Sequence, residues 1–402
     1  MLKVLKFGGT SVGTLDKIQN VANIIKEIKD QGHDIIAVVS AMSGETNKLM
    51  EYSSYFTTQP KKNELDVLLS SGERITSSLL SIALNTQGYQ TISMSGRQAG
   101  IFTNENHTRA RIDNIDIKNI KKEIDNNNII IVAGFQGITK NGRVSTLGRG
   151  GSDLSAVAIA GAIKADICEI YTDVDGIYTT DPRIEPKAKK LDKISYDEML
   201  ELSSLGAKVL QNRSVELAKK LNVNLVSRSS FDTKISGTLI TKEENIMEKP
   251  LVSGIALDRN QVRVGMYGVI DKPGIAASIF SALANEDINV DMIVQTVGVN
   301  NITDLDFTVP RTQLEITKKI MEEFKSYTKN IDYNEEVSKV SIVGVGMKSH
   351  VGIASKAFQA LANENINIRI ISTSEIKISM IILEKYSELA VRALHEVYNL
   401  DR

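Results

Sequence analysis

The chain has 402 residues, 42% hydrophobic and 24% charged, with 48 basic against 49 acidic side chains and a formal net charge of -1. That length exceeds one ordinary core and predicts two or three domains, while the balanced charge argues against a protein built around nucleic acid or an acidic surface. No window approaches ~18 uninterrupted apolar residues, Met1-Leu2-Lys3-Val4 runs straight into a strand pattern, and the single Cys168 can form no intramolecular disulfide, so a cytoplasmic protein is expected.

In chain order, Leu2 to Phe7 reads as a strand running into Gly8-Gly9-Thr10-Ser11-Val12-Gly13, with an amphipathic helix following through Ile18, Val21, Ile25 and Ile28. Such a junction offers free backbone N–H groups to phosphate. Gly8 and Gly13 have P-loop spacing, but Thr14-Leu15 replaces the Lys-Ser/Thr that a P-loop needs, and the basic group, Lys6, stands before the glycines instead. Short β-branched runs then alternate with helical patterns: Ile35 to Val39, Leu65 to Leu84, Ile129 to Ala133, Leu154 to Ile163 and Ile167 to Tyr171. This rhythm predicts an α/β domain with a mainly parallel sheet and ligands at the carboxyl ends of its strands.

Thr146-Leu147-Gly148-Arg149-Gly150-Gly151-Ser152-Asp153 packs three glycines, an arginine, a hydroxyl and a carboxylate ahead of a helix. Ser152 or Asp153 alone would read as a helix cap, whereas Arg149 has the fork that suits a substrate carboxylate. Tyr171 to Arg183 follows a strand and mixes turn residues, aromatics and charges, with Arg183 available to phosphate and Tyr178 to a base or ribose. Cys168 sits in an apolar run and reads as a core thiol, and His33, His107, His350 and His395 show no ligand spacing.

Composition turns polar between Asp232 and Pro250, marking a boundary region. Beyond it the segment from Gly274 to Val290 returns as Gly352 to Ile368 at a constant offset of 78 residues, so one module is present twice. Each copy reads as strand, Gly-containing turn, amphipathic helix and second strand.

Lys6-Phe-Gly-Gly-Thr-Ser11, Ser71-Gly-Glu73, Leu147-Gly-Arg-Gly-Gly-Ser-Asp153 and Thr172-Asp-Val-Asp-Gly-Ile-Tyr-Thr-Thr-Asp-Pro-Arg183, in this order, resemble the aspartate kinases of the amino-acid kinase family. Gly206-Ala-Lys208-Val-Leu210 continues the resemblance, and the repeats look like paired ACT modules. It implies an amino-acid kinase fold, a mainly parallel sheet sandwiched by helices, over 1–245, then two ferredoxin-like α+β ACT domains at 250–330 and 335–402. It further implies phosphorylation of the side-chain carboxylate of L-aspartate by ATP with Mg²⁺, feedback inhibition by lysine with or without threonine, and a homodimer or homotetramer formed through the ACT domains.

Residue by residue, the resemblance assigns Lys6, Asp153 and Lys208 to the reaction centre. Ser40, Thr46, Glu73, Phe135, Arg149 and Ser152 would hold the amino acid, Arg149 taking its α-carboxylate and Glu73 its ammonium. Lys6, Gly8, Gly9, Thr172, Asp173, Tyr178, Arg183 and Lys208 would hold ATP. Asp271, Gly274, Ile275, Ala276, Asn289 and Asp291 would form the effector site. Two places depart from the family's common pattern: Gln211-Asn212 stands for a His-Pro pair and Leu154-Ser155 for a Thr-Thr pair. A non-catalytic amino-acid sensor and a dinucleotide dehydrogenase built on Gly344-Val-Gly346 are the competing classes, the first opposed by the intact charged set and the second by glycine spacing.

Overall fold

The computed structural model describes residues 1–205, 209–246, 251–296, 302–348 and 350–402. They divide into two units. The first comprises Met1–Ile177, Lys190–Ser203 and the described residues of 208–247; the second comprises Tyr178–Lys189 and the described residues of 204–207 and 248–402.

The first unit runs β1 (Leu2–Phe7), α1 (Leu15–Asp30), β2 (Asp34–Val39), α2 (Glu45–Phe56), α3 (Lys62–Leu69), α4 (Ser71–Thr86), β3 (Thr91–Met94), β4 (Ile101–Thr103) and β5 (Ile112–Ile115). It continues through α5 (Lys118–Asp125), β6 (Ile129–Ala133), β7 (Gln136–Thr139), β8 (Val144–Thr146), α6 (Gly151–Ile163), β9 (Ile167–Thr172), β10 (Lys193–Ser195), α7 (Tyr196–Ser204), α8 (Asn212–Leu221), β11 (Leu225–Ser229) and β12 (Thr238–Thr241). Eight strands form a sheet in the order β10-β12-β11-β9-β1-β2-β6-β3, parallel except for the β11–β12 pair. A smaller sheet, β5-β4-β7-β8, carries the segment that leads into α6.

Strand alternation sends the side chains of β1 to two different layers. Leu5 and Phe7 join Ile18, Val21, Ile25, Leu80 and Leu84 of α1 and α4 in one core. Lys6 points to the opposite face, where α6 lies against β1, β2 and β9. That helix is apolar nearly all round and buried from Gly151 to Ala160, as a helix enclosed by other elements should be. Because β1, β2, β6 and β9 are parallel neighbours, their carboxyl ends emerge together: Gly8 N–H bonds the Tyr171 carbonyl, Ser40 N–H the Phe7 carbonyl and Gly134 N–H the Val39 carbonyl.

The second unit contains β13 (Gly254–Ile270), α9 (Ile275–Asn285), β14 (Ile293–Gln295), β15 (Ile302–Val309), α10 (Leu314–Glu322), β16 (Asn330–Val343), α11 (Ile353–Asn363), β17 (Ile368–Thr373), β18 (Lys377–Leu383) and α12 (Ser387–Val397). Its strands form one antiparallel sheet, β14-β15-β13-β16-β18-β17. The repeat is therefore visible as two βαββα runs, but the modules exchange strands. Arg263–Tyr267 pair with Asn330–Asn334 in the first half, whereas Gly254–Asp258 pair with Lys339–Val343 in the second, the register shifting between the two stretches. Val252 and Ile255 accordingly lie in the core of the second module, and Ile331 and Tyr333 pack on that of the first. The divisions 250–330 and 335–402 follow the sequence repeat, not these cores, because each long strand serves both.

Candidate active site

At the carboxyl end of β1, Lys6 Nζ lies 2.6 Å from Asp153 Oδ1, and both residues are about nine-tenths buried, at 8% exposure each. Asp153 enters from the first turn of α6. Neither it nor Ser152 caps that helix, because the N-cap is Gly150 in the left-handed region. A Cβ on Gly8 would stand 3.3 Å from Lys6 Nζ, so the ammonium lies directly over the glycine turn. The helix that follows is capped by Thr14, whose hydroxyl accepts from Lys17 N–H, leaving Gly8–Gly13 as the turn before it.

Glu73 belongs to the first turn of α4 and is only 4% exposed. Its Oε1 accepts the Ala41 N–H at 3.1 Å, while Oε2 is buried with no hydrogen-bond partner among the described residues. Burial pushes this carboxyl up to about 7, against the opposing pull of the Ala41 N–H. Ala41 also ties the acid to the glycine turn, since its carbonyl lies 3.1 Å from where a Gly9 Cβ would be.

Arg149 is exposed, and its guanidinium makes no hydrogen bond or ion pair among the described residues. Its carbonyl, however, accepts Gln211 Nε2 at 2.9 Å, and a Cβ on Gly150 would collide with Gln211 Cγ at 1.8 Å, so only glycine fits there. Phe135 holds a positive φ of 68°, unusual for a bulky residue. Its N–H donates to Ser155 Oγ at 3.1 Å, and that hydroxyl donates to the Gly151 carbonyl at 2.9 Å. The two departures from the family's pattern thus have structural work: Gln211 and Ser155 support the residues proposed to face substrate. Ser152 is buried against Gly134, Ser40 is half-buried at the end of β2, and Thr46 is half-buried on α2.

The nucleotide candidates separate. Thr172 and Asp173 belong to the first unit, where the Thr172 hydroxyl both donates to the Val174 carbonyl and accepts the Val174 N–H, and Asp173 is exposed. Tyr178 and Arg183 fall in Tyr178–Lys189, which is part of the second unit. Arg183 is turned onto Asp181 at 2.7 Å, and Thr179 of the same segment bonds His395 Nε2 of α12 at 2.9 Å. Lys208 lies outside the described residues. Cys168 is fully buried, and burial, with Asp153 and Glu169 adding to it, drives its thiol far from ionisation, as a core thiol requires.

In the second unit a cavity of about 280 Å³ opens beside the first repeat's glycine turn, lined by Asp271, Gly274, Ile275 and Ala276 with Gln295, Thr303 and Leu305 among others. Asn289 and Asp291 do not line it. Asp291 is engaged instead with Lys339, a lysine 2% exposed, and the Asn289 N–H faces Gln313 Oε1.

An α/β sheet with a buried ion pair at a strand end is thus followed by a second unit in which one βαββα module stands twice. The amino acid kinase family profile matches residues 1–226, and the ACT domain profile matches 264–323 and 340–398. Aspartokinase of Helicobacter pylori is 59% identical over the full length of both chains, and aspartokinase of Pseudomonas aeruginosa is 51% identical over all of this chain and 98% of its own. The crystal structure of Escherichia coli aspartokinase III with aspartate and ADP, in the R-state, superposes with a TM-score of 0.80 at 26% identity over 99% of both chains. The same enzyme with lysine and aspartate, in the T-state, gives the same TM-score, identity and coverage. The chain belongs to the amino acid kinase family, in its aspartokinase branch.

Proposed function

We propose that the first unit transfers the γ-phosphoryl group of ATP to the side-chain carboxylate of L-aspartate, giving 4-phospho-L-aspartate and ADP, with Lys6, Asp153, Glu73 and Arg149 as its working groups. The observation that carries this reading is the buried Lys6–Asp153 ion pair set over the glycine turn at the end of β1. A carboxylate oxygen of aspartate forms the new P–O bond while the bond from the γ-phosphorus to the β,γ-bridging oxygen breaks. No proton has to move, because an aspartate side chain with a pKa of ~3.9 is already an anion at neutral pH. The barrier is repulsion between anions, so the protein's task is positioning and charge neutralisation. Lys6 supplies positive charge to the transferring group, with Lys208 as its counterpart, and Asp153 holds Lys6 on the α6 side of the sheet.

Arg149 and Glu73 grip the amino acid. The unpaired guanidinium of Arg149 suits a bidentate α-carboxylate, and the unpartnered Oε2 of Glu73 suits an ammonium, which would draw the raised carboxyl back to its ionised form. Ser40, Thr46, Phe135 and Ser152 complete the pocket, and Thr172 and Asp173 of the first unit serve the nucleotide. No group of three or more His, Cys, Asp or Glu side chains able to hold a metal comes together among the described residues. Mg²⁺ enters in this reading with ATP, because phosphate oxygens and water commonly supply most of its coordination.

The cavity at Asp271–Ala276 is read as the effector site, for lysine with or without threonine: the Gly274 turn and start of α9 present N–H groups to an α-carboxylate, and Asp271 stands at the rim. Residues 1–245 are the catalytic portion. Dimerisation through the sheet of the second unit is supported by its outer strands β14 and β17, which expose Ile293 and Ile371. Among the described residues no helix is long and apolar enough to cross a membrane, and a lone buried cysteine suits the cytoplasm. ADP formation from Mg-ATP against a panel of amino acids tests the activity: turnover with aspartate is expected, and turnover with glutamate or another carboxylate but never aspartate would overturn it.

A further inference from the structure

Arg149 is an exposed side chain between two glycines that both hold left-handed backbone, Gly148 at φ 79° and Gly150 at φ 69°. Such a segment pivots easily unless its flanks are held. The flanks are held from two directions. Thr146, which ends β8 fully buried, donates from Oγ1 to Asp66 Oδ1 at 2.5 Å. Asp66 lies on α3, is fully buried, and also accepts the Thr108 N–H at 3.0 Å and His107 Nδ1 at 2.6 Å, the tautomer that an acceptor-only carboxylate selects. From the opposite side Arg213 of α8 places its fork on two carbonyls, Nη1 on Leu147 at 2.7 Å and Nη2 on Ala110 at 3.3 Å. The Ala110 N–H returns to the Thr146 carbonyl at 2.9 Å, lacing 107–110 to 146–147.

None of these groups takes part in phosphoryl transfer as described above. A buried carboxylate and a guanidinium spent on main-chain carbonyls are costly ways to stabilise a fold, since apolar residues of like volume would serve as well. What a fully satisfied polar network does provide is one fixed conformation. We infer that Asp66 and Arg213 are positioning residues for aspartate binding: together they fix Thr146–Leu147, and Gln211 fixes the Arg149 carbonyl, so that the Arg149 guanidinium meets the α-carboxylate in a constant place. The inference rests on the reading that Arg149 binds that carboxylate.

The test compares Thr146→Val, Thr146→Ser, Arg213→Gln and Arg149→Ala in the full-length enzyme, measuring KM for aspartate, KM for ATP, kcat and melting temperature. Thr146→Val and Arg213→Gln should each raise the aspartate KM about tenfold, the scale of one lost buried hydrogen bond, with kcat and the ATP KM within about twofold. Thr146→Ser, which keeps the hydroxyl, should restore the parent KM. Thr146→Val added to Arg149→Ala should raise KM no further, since there is no guanidinium left to aim. An unchanged aspartate KM in folded Thr146→Val and Arg213→Gln, beside a raised KM in Arg149→Ala, overturns the positioning role alone. An unchanged KM in Arg149→Ala overturns the assignment of Arg149 itself. Should Arg213→Gln fail to fold, the near-isosteric Thr146→Val decides the question.

Discussion

The same backbone device, a strand end, a glycine turn and the start of a helix, recurs in both units, and two of its instances, after β1 and after β13, differ in what surrounds them. After β1 it is joined by charges that are buried and already engaged, Lys6 with Asp153 and Glu73 with Ala41 N–H. After β13 it borders a cavity whose charged residues, Asp271 and Lys272, are exposed at the rim and whose remaining lining is largely backbone and small or apolar side chains. Under the function proposed above, the difference separates chemistry from recognition. Groups that must stabilise a developing charge are worth most when fixed in advance and shielded from water. Groups that must catch and release an effector work best where desolvation is small.

That contrast can be broken most sharply at Lys6. Lys6→Ala should lower kcat by about 10²–10³-fold or more, while calorimetric binding of lysine to the second unit stays as in the parent; turnover near the parental rate would remove Lys6 from the reaction centre. Glu73→Gln should raise the aspartate KM about 10- to 100-fold by loss of a charge-assisted contact, leaving the ATP KM unchanged. Since burial pushes the Glu73 carboxyl up to about 7, its protonated fraction grows as pH falls, so kcat/KM for aspartate should decline below about pH 7. In Glu73→Gln that limb should be absent from the pH profile.

Smaller effects sharpen the other half of the comparison. Ala276→Leu, which fills the cavity, should weaken lysine inhibition at least about tenfold, with kcat within twofold; inhibition curves that overlay the parent would place the effector elsewhere. Asp291→Asn should leave inhibition unaltered, because Asp291 does not line the cavity. It should still lower the melting temperature by several degrees, as removing one partner of a buried ion pair costs roughly 2–3 kcal/mol when that partner is partly exposed.

The candidate site is legible in the sequence where side chains of unusual type crowd a strand end: Lys6 before two glycines, Arg149 and Asp153 within one short segment. Glu73 was reached only through the resemblance, since a glutamate at a helix start reads equally well as a solvated one. Asp66 left one local signal, a carboxylate three residues before the buried Leu69 and so on the inward face of α3. Arg213 left none, because α8 carries Lys219 and Lys220 as well and nothing in the pattern distinguishes the basic residue that reaches inward. Gln211 and Ser155 were visible only as departures, since their value lies in carbonyls and N–H groups that come near in space, not in sequence. The membership of Tyr178–Lys189 in the second unit was hidden for the same reason: its ties to Ile255 and His395 join residues far apart in the chain.

The strand exchange between the repeated modules carries a consequence for how the chain can be cut. A fragment ending near residue 330 would strip the first module of the strand formed by Asn330–Asn334, and one beginning near 335 would lack Gly254–Asp258, leaving Val340 and Ile342 beside an empty lane. Neither half could close its sheet alone. The two modules should therefore melt in a single transition, and any transplant of this sensor onto another enzyme has to take the pair whole, from before Val252 to the end of α12.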